Sequence, residues 1–196
     1  MNDGSAGFTD ISRRVLGSSI GIARVIKARD LNGDGEVDII VGNTFETQSR
    51  LYLGRGDLRF NDVTATNLPQ VKASIGDLEV GDVDADGDLD LVLADWGPGS
   101  PLESRGAPPM LWLNNGHGIF TDVSRSNMPS NRIRFSWELE LLDVDNDWDL
   151  DLAVSCKVCD TSILYQNDGS GRFRIEKGAI PASTNNYDFE PMDVDA

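Results

Sequence analysis

Three short stretches of the chain place acidic residues at alternate positions of a nine-residue frame. They are DLNGDGEVD at 30–38, DVDADGDLD at 82–90 and DVDNDWDLD at 143–151. In a tight loop this alternation brings the side chains of positions 1, 3, 5 and 9 toward one point, where carboxylates repel one another unless a cation lies between them. Ca²⁺ suits such a point best, because it takes about 6–8 oxygen ligands in flexible geometry, including a backbone carbonyl at position 7. The spacing therefore predicts three calcium sites.

The predicted ligands are carboxylates except for one asparagine, which still offers an oxygen. They are Asp30, Asn32, Asp34, Glu36 and Asp38 in the first loop, Asp82, Asp84, Asp86, Asp88 and Asp90 in the second, and Asp143, Asp145, Asp147, Asp149 and Asp151 in the third. The third loop has Trp148 where the others have Gly35 and Gly87. That position usually takes a positive φ, which is costly for a bulky residue. A fourth loop, truncated after Asp193 and Asp195, begins near the end of the chain.

An EF-hand is the first alternative for these loops, and the sequence disfavours it. An EF-hand needs a bidentate Glu at position 12 and a helix on each side. Position 12 is Val41, Leu93 or Val154 in the three loops. The segments that follow, VDIIVGN, LDLVLAD and LDLAVSC, are short, aliphatic and apolar at alternate positions, which indicates strands.

A second pattern recurs between the acidic loops. The segments LYLGRGDLRFNDVT (51–64), LWLNNGHGIFTDVS (111–124) and LYQNDGSGRFRIEK (164–177) align without gaps. Each period then consists of a strand, the acidic loop, a strand, a loop, a strand, a Gly-rich turn and a last strand. Four antiparallel strands repeated about every 50 residues are typical of a β-propeller blade. The predicted fold is therefore all-β, a β-propeller of four-stranded antiparallel blades.

We expect one partial propeller domain over residues 1–196, with about three complete blades and a partial blade at each end. The predicted segments are 1–12 as the last strand of a preceding blade, 20–64 as blade 1, 75–124 as blade 2, 135–177 as blade 3 and 186–196 as the start of blade 4. Such a chain is an open fragment of a larger propeller, and its unpaired blade edges favour association.

These motifs resemble the FG-GAP and VCBS repeats of calcium-binding propellers, the architecture of the integrin α head. The resemblance rests on the three acidic loops, their following strands and the LWLNNGHGIFTDVS hairpin, and it covers essentially the whole chain. The FG and GAP motifs are absent from the corresponding places of the repeat, which have Ile75-Gly76 and Ala94-Asp95, for example. The VCBS-like form is therefore favoured. The resemblance implies bound Ca²⁺, an extracellular or cell-surface location, and recognition or adhesion of a protein or glycan.

The tripeptide Arg55-Gly56-Asp57 matches the motif that integrin-type receptors bind. Gly56 aligns with Gly116 and Gly169 at the predicted turn between the third and fourth strands. A hairpin turn needs residues that tolerate positive φ, and glycine supplies this. We therefore favour a structural turn over an adhesion ligand.

Composition narrows the functions further. The chain has 33 acidic and 17 basic residues and a net charge of −16, which argues against nucleic-acid binding. No apolar run approaches a membrane span, no signal peptide is visible, and His117 is the only histidine. No nucleophile–base constellation is recognisable, so a non-catalytic protein is predicted. The alternatives to a recognition module are a structural spacer of a larger surface protein and a propeller-type polysaccharide lyase.

Three further features keep two interpretations each. Cys156 and Cys159 form either a disulfide, which the family's oxidising setting favours, or free thiols. The long segment 94–110 is either an ordinary insertion or part of a binding surface on the face away from the acidic loops. A charged residue lies three positions before each acidic loop, and these residues are Lys27, Glu79, Glu140 and Glu190. This charge column either lines the propeller channel or points into the gap between blades.

Overall fold

The computed structural model describes residues 4–16, 21–100, 102–159 and 161–182, and these are mainly short antiparallel strands. The elements are α1 (Ser12–Val15), β1 (Ile22–Arg29), β2 (Asp38–Thr44), β3 (Thr47–Gln48), β4 (Arg50–Gly54), β5 (Phe60–Asp62), α2 (Thr64–Asn67), β6 (Lys72–Ala73), β7 (Ile75–Gly81), β8 (Asp90–Asp95), β9 (Met110–Leu113), β10 (Thr121–Asp122), α3 (Ser124–Asn127), β11 (Ser136–Leu142), β12 (Asp151–Cys156), β13 (Ile163–Asn167) and β14 (Phe173–Glu176).

Twelve of these strands form three four-stranded antiparallel sheets. Sheet 1 has the order β1-β2-β4-β5, sheet 2 is β7-β8-β9-β10, and sheet 3 is β11-β12-β13-β14. In each sheet the acidic loop joins the first two strands, and the Gly-rich turn joins the last two. The predicted all-β class and the four-stranded antiparallel sheets are therefore confirmed. The expected fourth copy, with Glu190, Asp193 and Asp195 in the segment 186–196, lies outside the described residues.

The first strands of the three sheets are neighbours, with β7 in contact with both β1 and β11. Sheet 2 consequently buries both of its faces. Along β8, Leu91 and Leu93 join the core shared with sheet 1, whereas Val92 and Ala94 join the core shared with sheet 3. Successive side chains of a strand point to opposite faces, so a strand buried on both sides needs a continuous apolar run. This explains the sequence LVLA at 91–94.

The connections add small elements that the sequence pattern did not predict. Strand β3 pairs with β6 and so links sheet 1 to the segment that leads into sheet 2. The one-turn helices α1, α2 and α3 begin in the same way, because a preceding aspartate accepts the backbone N–H of their first residue. These bonds are Ser12 N to Asp10 Oδ1 (2.9 Å), Thr64 N to Asp62 Oδ1 (3.0 Å) and Ser124 N to Asp122 Oδ1 (2.9 Å).

The N-terminal segment thus shares its local structure with the segments that follow β5 and β10. In the described part of residues 1–12, Phe8 forms an isolated bridge just before α1. The boundaries of the predicted blades, including 1–12, stay predictions.

Polar contacts join the first strands to one another. Lys27 Nζ of β1 forms an ion pair with Glu79 Oε1 of β7. Two residues earlier in β7, Asp77 Oδ2 accepts a hydrogen bond from the backbone N–H of Leu139 in β11 at 2.9 Å. Burial raises the pKa of Asp77, although this hydrogen bond acts in the opposite direction. Part of the predicted charge column therefore ties adjacent sheets together.

The two cysteines lie at the end of sheet 3 that is remote from the acidic loop. Cys156 ends β12, and Cys159 lies in the turn that follows. They are joined by a disulfide, which is one of the two interpretations that the sequence left open.

Candidate metal sites in the acidic loops

The backbone of each acidic loop is wrapped around the carboxylate of position 1. Asp30 Oδ2 accepts the N–H of Gly35 (2.8 Å), Asp82 Oδ2 that of Gly87 (3.0 Å), and Asp143 Oδ2 that of Trp148 (3.0 Å). A donor at position 6 can reach position 1 because the loops turn through left-handed backbone at positions 4 and 6. The φ values there are 72° and 84° in the first loop, 60° and 93° in the second, and 62° and 74° in the third.

The third loop therefore follows the same path as the others without a glycine. Asn146 occupies its position 4, and Trp148 takes up the positive φ that the sequence had marked as costly. The Trp148 side chain is 93% exposed, so the ring lies in solvent and not in the core.

Positions 1, 3 and 5 form the acidic cluster of each loop. In the second loop, one oxygen each from Asp82, Asp84 and Asp86 lie within 4.8 Å of one another. The same is true of the corresponding residues of the third loop, which are Asp143, Asp145 and Asp147. These clusters could hold a metal ion. In the first loop Asn32 replaces the central carboxylate, and its amide donates to Asp34 Oδ2 at 3.0 Å.

The second loop contains unsatisfied acceptors. Asp82 Oδ1 and Asp84 Oδ1 are buried and accept no hydrogen bond from the described residues. Burial and the neighbouring carboxylates of Asp86 and Asp82 raise the pKa of Asp84. A buried acceptor without a donor costs about 1–3 kcal/mol, and a cation between the two oxygens would remove that cost. The donor set is all oxygen, which fits a hard divalent cation.

Position 9 has a different environment from positions 1, 3 and 5. Its carboxylate is buried and bridges two backbone amides, one from position 2 of its own loop and one from the end of the sheet's third strand or, in sheet 2, from the residue after it. Asp90 Oδ2 accepts from Val83 N (3.1 Å), and Asp90 Oδ1 accepts from Asn114 N (2.8 Å). Asp38 bridges Leu31 and Gly54 in the same way, and Asp151 bridges Val144 and Asn167.

This anchor has an electrostatic cost. Burial, together with the neighbouring charges of Asp84 and Asp86, raises the pKa of Asp90 to about 7, although the two amide hydrogen bonds act in the opposite direction. The pKa of Asp38 and of Asp151 is raised by burial in the same direction. Sequence reasoning treated position 9 only as a ligand. In the structure it also fixes the acidic loop to the sheet.

The carboxylates of position 7 lie against the Gly-rich turn of the same sheet. A Cβ built on Gly116 would be 2.7 Å from Asp88 Oδ2, and one built on Gly56 would be 3.2 Å from Glu36 Oε1. Asp149 approaches Gly169 in the same manner. A side chain at one of these glycines would have to displace the carboxylate of position 7, in addition to adopting the positive φ of 70° to 76°.

The Arg55-Gly56-Asp57 stretch is such a turn. Arg55 N donates to Arg59 O at 2.9 Å, and Arg59 N donates to Gly56 O at 3.0 Å. Gly56 has a φ of 70° and Asp57 a φ of 50°, while the side chains of Arg55 and Asp57 are exposed. Local geometry thus accounts for the glycine of this tripeptide.

Each acidic loop of sheets 1 and 2 is also held by the sheet that follows. Asn114 Nδ2 of sheet 2 donates to Leu31 O in the first loop, and Asn167 Nδ2 of sheet 3 donates to Val83 O in the second, both at 2.7 Å. The same two asparagines supply the backbone N–H groups that bind position 9 of their own sheets. Sequence reasoning missed this role, although both asparagines occupy the same place in the repeated hairpin pattern.

Comparison with known protein families supports the repeat pattern seen in the sequence. Residues 30–93 match the FG-GAP-like repeat family, and this segment includes the first two acidic loops and all of sheet 1 from β2 onward. The predicted resemblance to FG-GAP repeats is confirmed for residues 30–93. No curated protein sequence matches the chain.

Among solved structures, the chain is similar to a lectin of Agrocybe aegerita, described as specifically recognising non-reducing terminal N-acetylglucosamine. The identity is 21%, the TM-score is 0.47, and the match covers 91% of this chain and 42% of the lectin chain. The chain thus spans less than half the length of that lectin. Among the described residues, no helix is long and apolar enough to cross a membrane.

Proposed function

We propose that this chain is part of a calcium-stabilised β-propeller of the FG-GAP/VCBS type, and that it serves as an extracellular or cell-surface recognition or adhesion module for a protein or glycan. The proposed role is binding and not catalysis. The observation that carries the proposal is the pair of buried acceptors, Asp82 Oδ1 and Asp84 Oδ1, in a loop that recurs at the same place in three sheets.

The sheets have the features of propeller blades. Each is a four-stranded antiparallel meander, and the first strands β1, β7 and β11 lie side by side, as strands that line a central axis would. Sheet 2 buries both faces between its neighbours, which is how blades that cannot fold alone share a core.

Calcium fits the loops better than magnesium. Asp82, Asp84 and Asp86 would hold it in the second loop, and the equivalent residues would do so in the first and third. Several carboxylates on a flexible backbone suit Ca²⁺, whereas Mg²⁺ demands a rigid octahedron and keeps its water. The cation would neutralise the clustered charge and connect the start of each loop to its middle. We expect millimolar affinity, the range of extracellular modules.

Thermal unfolding of the wild type and two matched variants tests the calcium proposal. Asp84→Asn keeps the shape of a cluster residue and removes its charge, while Glu103→Gln removes one exposed charge in the insertion that follows β8, outside the acidic loops. Without calcium, Asp84→Asn should melt at or above the wild-type temperature, because it relieves repulsion. With millimolar Ca²⁺ the order should reverse, because the variant loses a ligand. Glu103→Gln should follow the wild type in both conditions.

Two outcomes would contradict the proposal. One is a wild-type melting temperature that does not differ between chelator and excess Ca²⁺. The other is an equal response to Mg²⁺ and Ca²⁺, which would indicate general screening. Glycan and protein arrays separate recognition from a spacer role, since a spacer shows calcium-dependent stability without any ligand. Turnover of an acidic polysaccharide would instead favour the lyase alternative.

A further inference from the structure

Three aromatic rings cluster at the end of the sheets opposite the acidic loops. Trp96 directly follows β8, and Phe135 and Trp137 lie at the start of β11. The Trp96 and Phe135 ring centroids are 4.9 Å apart, those of Phe135 and Trp137 are 5.3 Å apart, and the two indoles stack at 6.3 Å. The acidic loops begin where first strands end, so a cluster at the start of a first strand and the end of a second strand lies at the other end.

Two cations from different sheets share the central indole of this cluster. Arg24 Cζ, from β1, is 4.6 Å from the Trp137 centroid and 5.9 Å from that of Trp96. Lys157 Nζ, directly after β12, is 4.5 Å from the Trp137 centroid and 5.4 Å from that of Phe135. Residues of all three sheets therefore meet at Trp137.

The cluster is firmly built. Trp96 is 5% exposed, and its Nε1 donates to Ser136 O at 2.5 Å. Its indole lies directly on the backbone of Gly76, where an added Cβ would be 2.6 Å from Cε2. Phe135 is 7% exposed. These two buried rings fix the orientation of Trp137, which is only partly buried.

The arrangement of Arg24 leaves its hydrogen-bonding groups available. A guanidinium that lies over an aromatic face uses its π surface, and its in-plane N–H groups still point outward. The Arg24 side chain is exposed, and no carboxylate within the described ranges of the chain lies within ion-pair distance of it. A fixed, planar fork of donors matches the geometry of a carboxylate.

We propose that Arg24, Lys157 and Trp137 form a binding site for the carboxylate of an acidic sugar, such as a uronic acid. This inference rests on the proposed recognition function and names its ligand class and surface. Arg24 would bind the carboxylate with two hydrogen bonds, Lys157 would add a second positive charge, and the exposed part of Trp137 would contact the apolar face of the sugar ring.

The location favours a sugar over an acidic peptide. Peptides commonly bind by adding a strand along a sheet edge or by filling side-chain pockets. This site lies at strand ends, where the backbone presents no aligned edge. The nearby carboxylate of Asp95 is already engaged, since its Oδ1 accepts the N–H groups of Ser74 (3.0 Å) and Gly97 (2.8 Å). The site therefore presents the Arg24 guanidinium, a positive charge on a chain whose net charge is −16.

The test uses an oligoglucuronate and the cello-oligosaccharide of the same linkage, in which each carboxylate is a hydroxymethyl group. Binding is followed by tryptophan fluorescence and calorimetry in Ca²⁺ at physiological ionic strength, where the overall negative charge is screened beyond about 8 Å. The variants are Arg24→Gln and Lys157→Gln. The control is Arg29→Gln, which removes the same charge from an exposed residue at the other end of β1.

We expect the wild type to bind the oligoglucuronate and not the neutral oligosaccharide. Loss of the charge-assisted hydrogen bonds should weaken binding by about tenfold or more in Arg24→Gln. Loss of the second positive charge should weaken it by less in Lys157→Gln, while Arg29→Gln should bind as the wild type does. Absence of binding, equal binding of the neutral oligosaccharide, an equal loss in Arg29→Gln, or preference for polyglutamate would each overturn the inference. A melting curve in Ca²⁺ on the same samples keeps this result separate from a failure of the calcium proposal.

Discussion

The third acidic loop has a side chain that conflicts with its backbone. Trp148 has a φ of 74°, at a position where Gly35 and Gly87 have values of 84° and 93°. Its side chain is 93% exposed, so it adds almost no buried apolar area to the folded state. We therefore expect Trp148→Gly to stabilise the protein.

The magnitude follows from two opposing effects. Left-handed backbone costs a non-glycine residue about 1–2 kcal/mol, and the substitution removes this cost. Glycine gives the unfolded chain more freedom, which costs about 0.5–1 kcal/mol. The free energy of unfolding should thus rise by about 0.5–1 kcal/mol. In a chain of this size that corresponds to an increase of about 1–4 °C in melting temperature.

Thermal melts in chelator measure this effect without a contribution from metal. Trp148→Ala removes the same exposed ring but keeps the backbone strain, so its melting temperature should stay close to that of the wild type. Gly87→Ala introduces the strain into the second loop, where a Cβ would meet no atom within 4 Å, and should lower the melting temperature by a similar amount. If Trp148→Ala stabilises as much as Trp148→Gly, the strain is not the cause.

Further substitutions test the contacts that position the loops and the strands before them. Gly56→Val should lower the free energy of unfolding by about 1–2 kcal/mol, because valine is strained in left-handed backbone and its side chain would contact Glu36. Asp57→Glu should leave both the melting temperature and any cell attachment unchanged. Loss of cell attachment in Asp57→Glu alone would overturn the interpretation of this stretch as a structural turn. Lys27→Glu should lower stability in urea more than Lys27→Met, because it adds repulsion to Glu79 as well as removing an attraction. This difference should narrow in high salt, and two variants that melt together would contradict it. Asn167→Ala should cost about 1–3 kcal/mol, because it leaves buried carbonyls of the second and third loops without a donor. Asn61→Ala changes an exposed asparagine and is the control. An equal loss of stability in this variant would show that the effect of Asn167→Ala does not come from the two carbonyls.

The sequence predicts the features that are local in the chain. Alternating aspartates, the strands after them and the glycines of the turns each depend on neighbouring residues, and all appear where the pattern places them. The structure separates the positions of the nine-residue frame more finely. Position 9 is the first residue of a second strand, as Asp38, Asp90 and Asp151 show, so its side chain points into the sheet and reaches backbone amides. Positions 1, 3 and 5 remain in the loop and face one another.

Contacts between distant residues could not be predicted in this way. Arg24, Trp96 and Trp137 come from three sheets, and no spacing in the sequence relates them. The insertion at 94–110 is another example. Its backbone is bonded to the segment before β11, through the bridge between Ala107 and Ile133 and through Arg134 Nε to Ser104 O at 3.2 Å. Nothing in the local composition of this insertion indicates which segment it would contact.

The hydrogen bonds between sheets that hold the first and second acidic loops run the same way along the chain, from an asparagine of one sheet to the acidic loop of the sheet before it. At position 2 of an acidic loop, the backbone N–H donates to the carboxylate of position 9 in the same sheet. The backbone carbonyl of the same residue accepts a hydrogen bond from the side-chain amide of an asparagine in the next sheet. Position 2 lies between positions 1 and 3, so a cation bound in the loop would restrain the same residue, Leu31 or Val83, that the neighbouring sheet holds. Sheet 1 has Gly54 where sheets 2 and 3 have Asn114 and Asn167, so it has no side chain at this place to reach a preceding loop. It follows that the first and second loops each depend on the sheet after them, and that neutralising their carboxylates should strengthen the contact between sheets as well as the loops themselves.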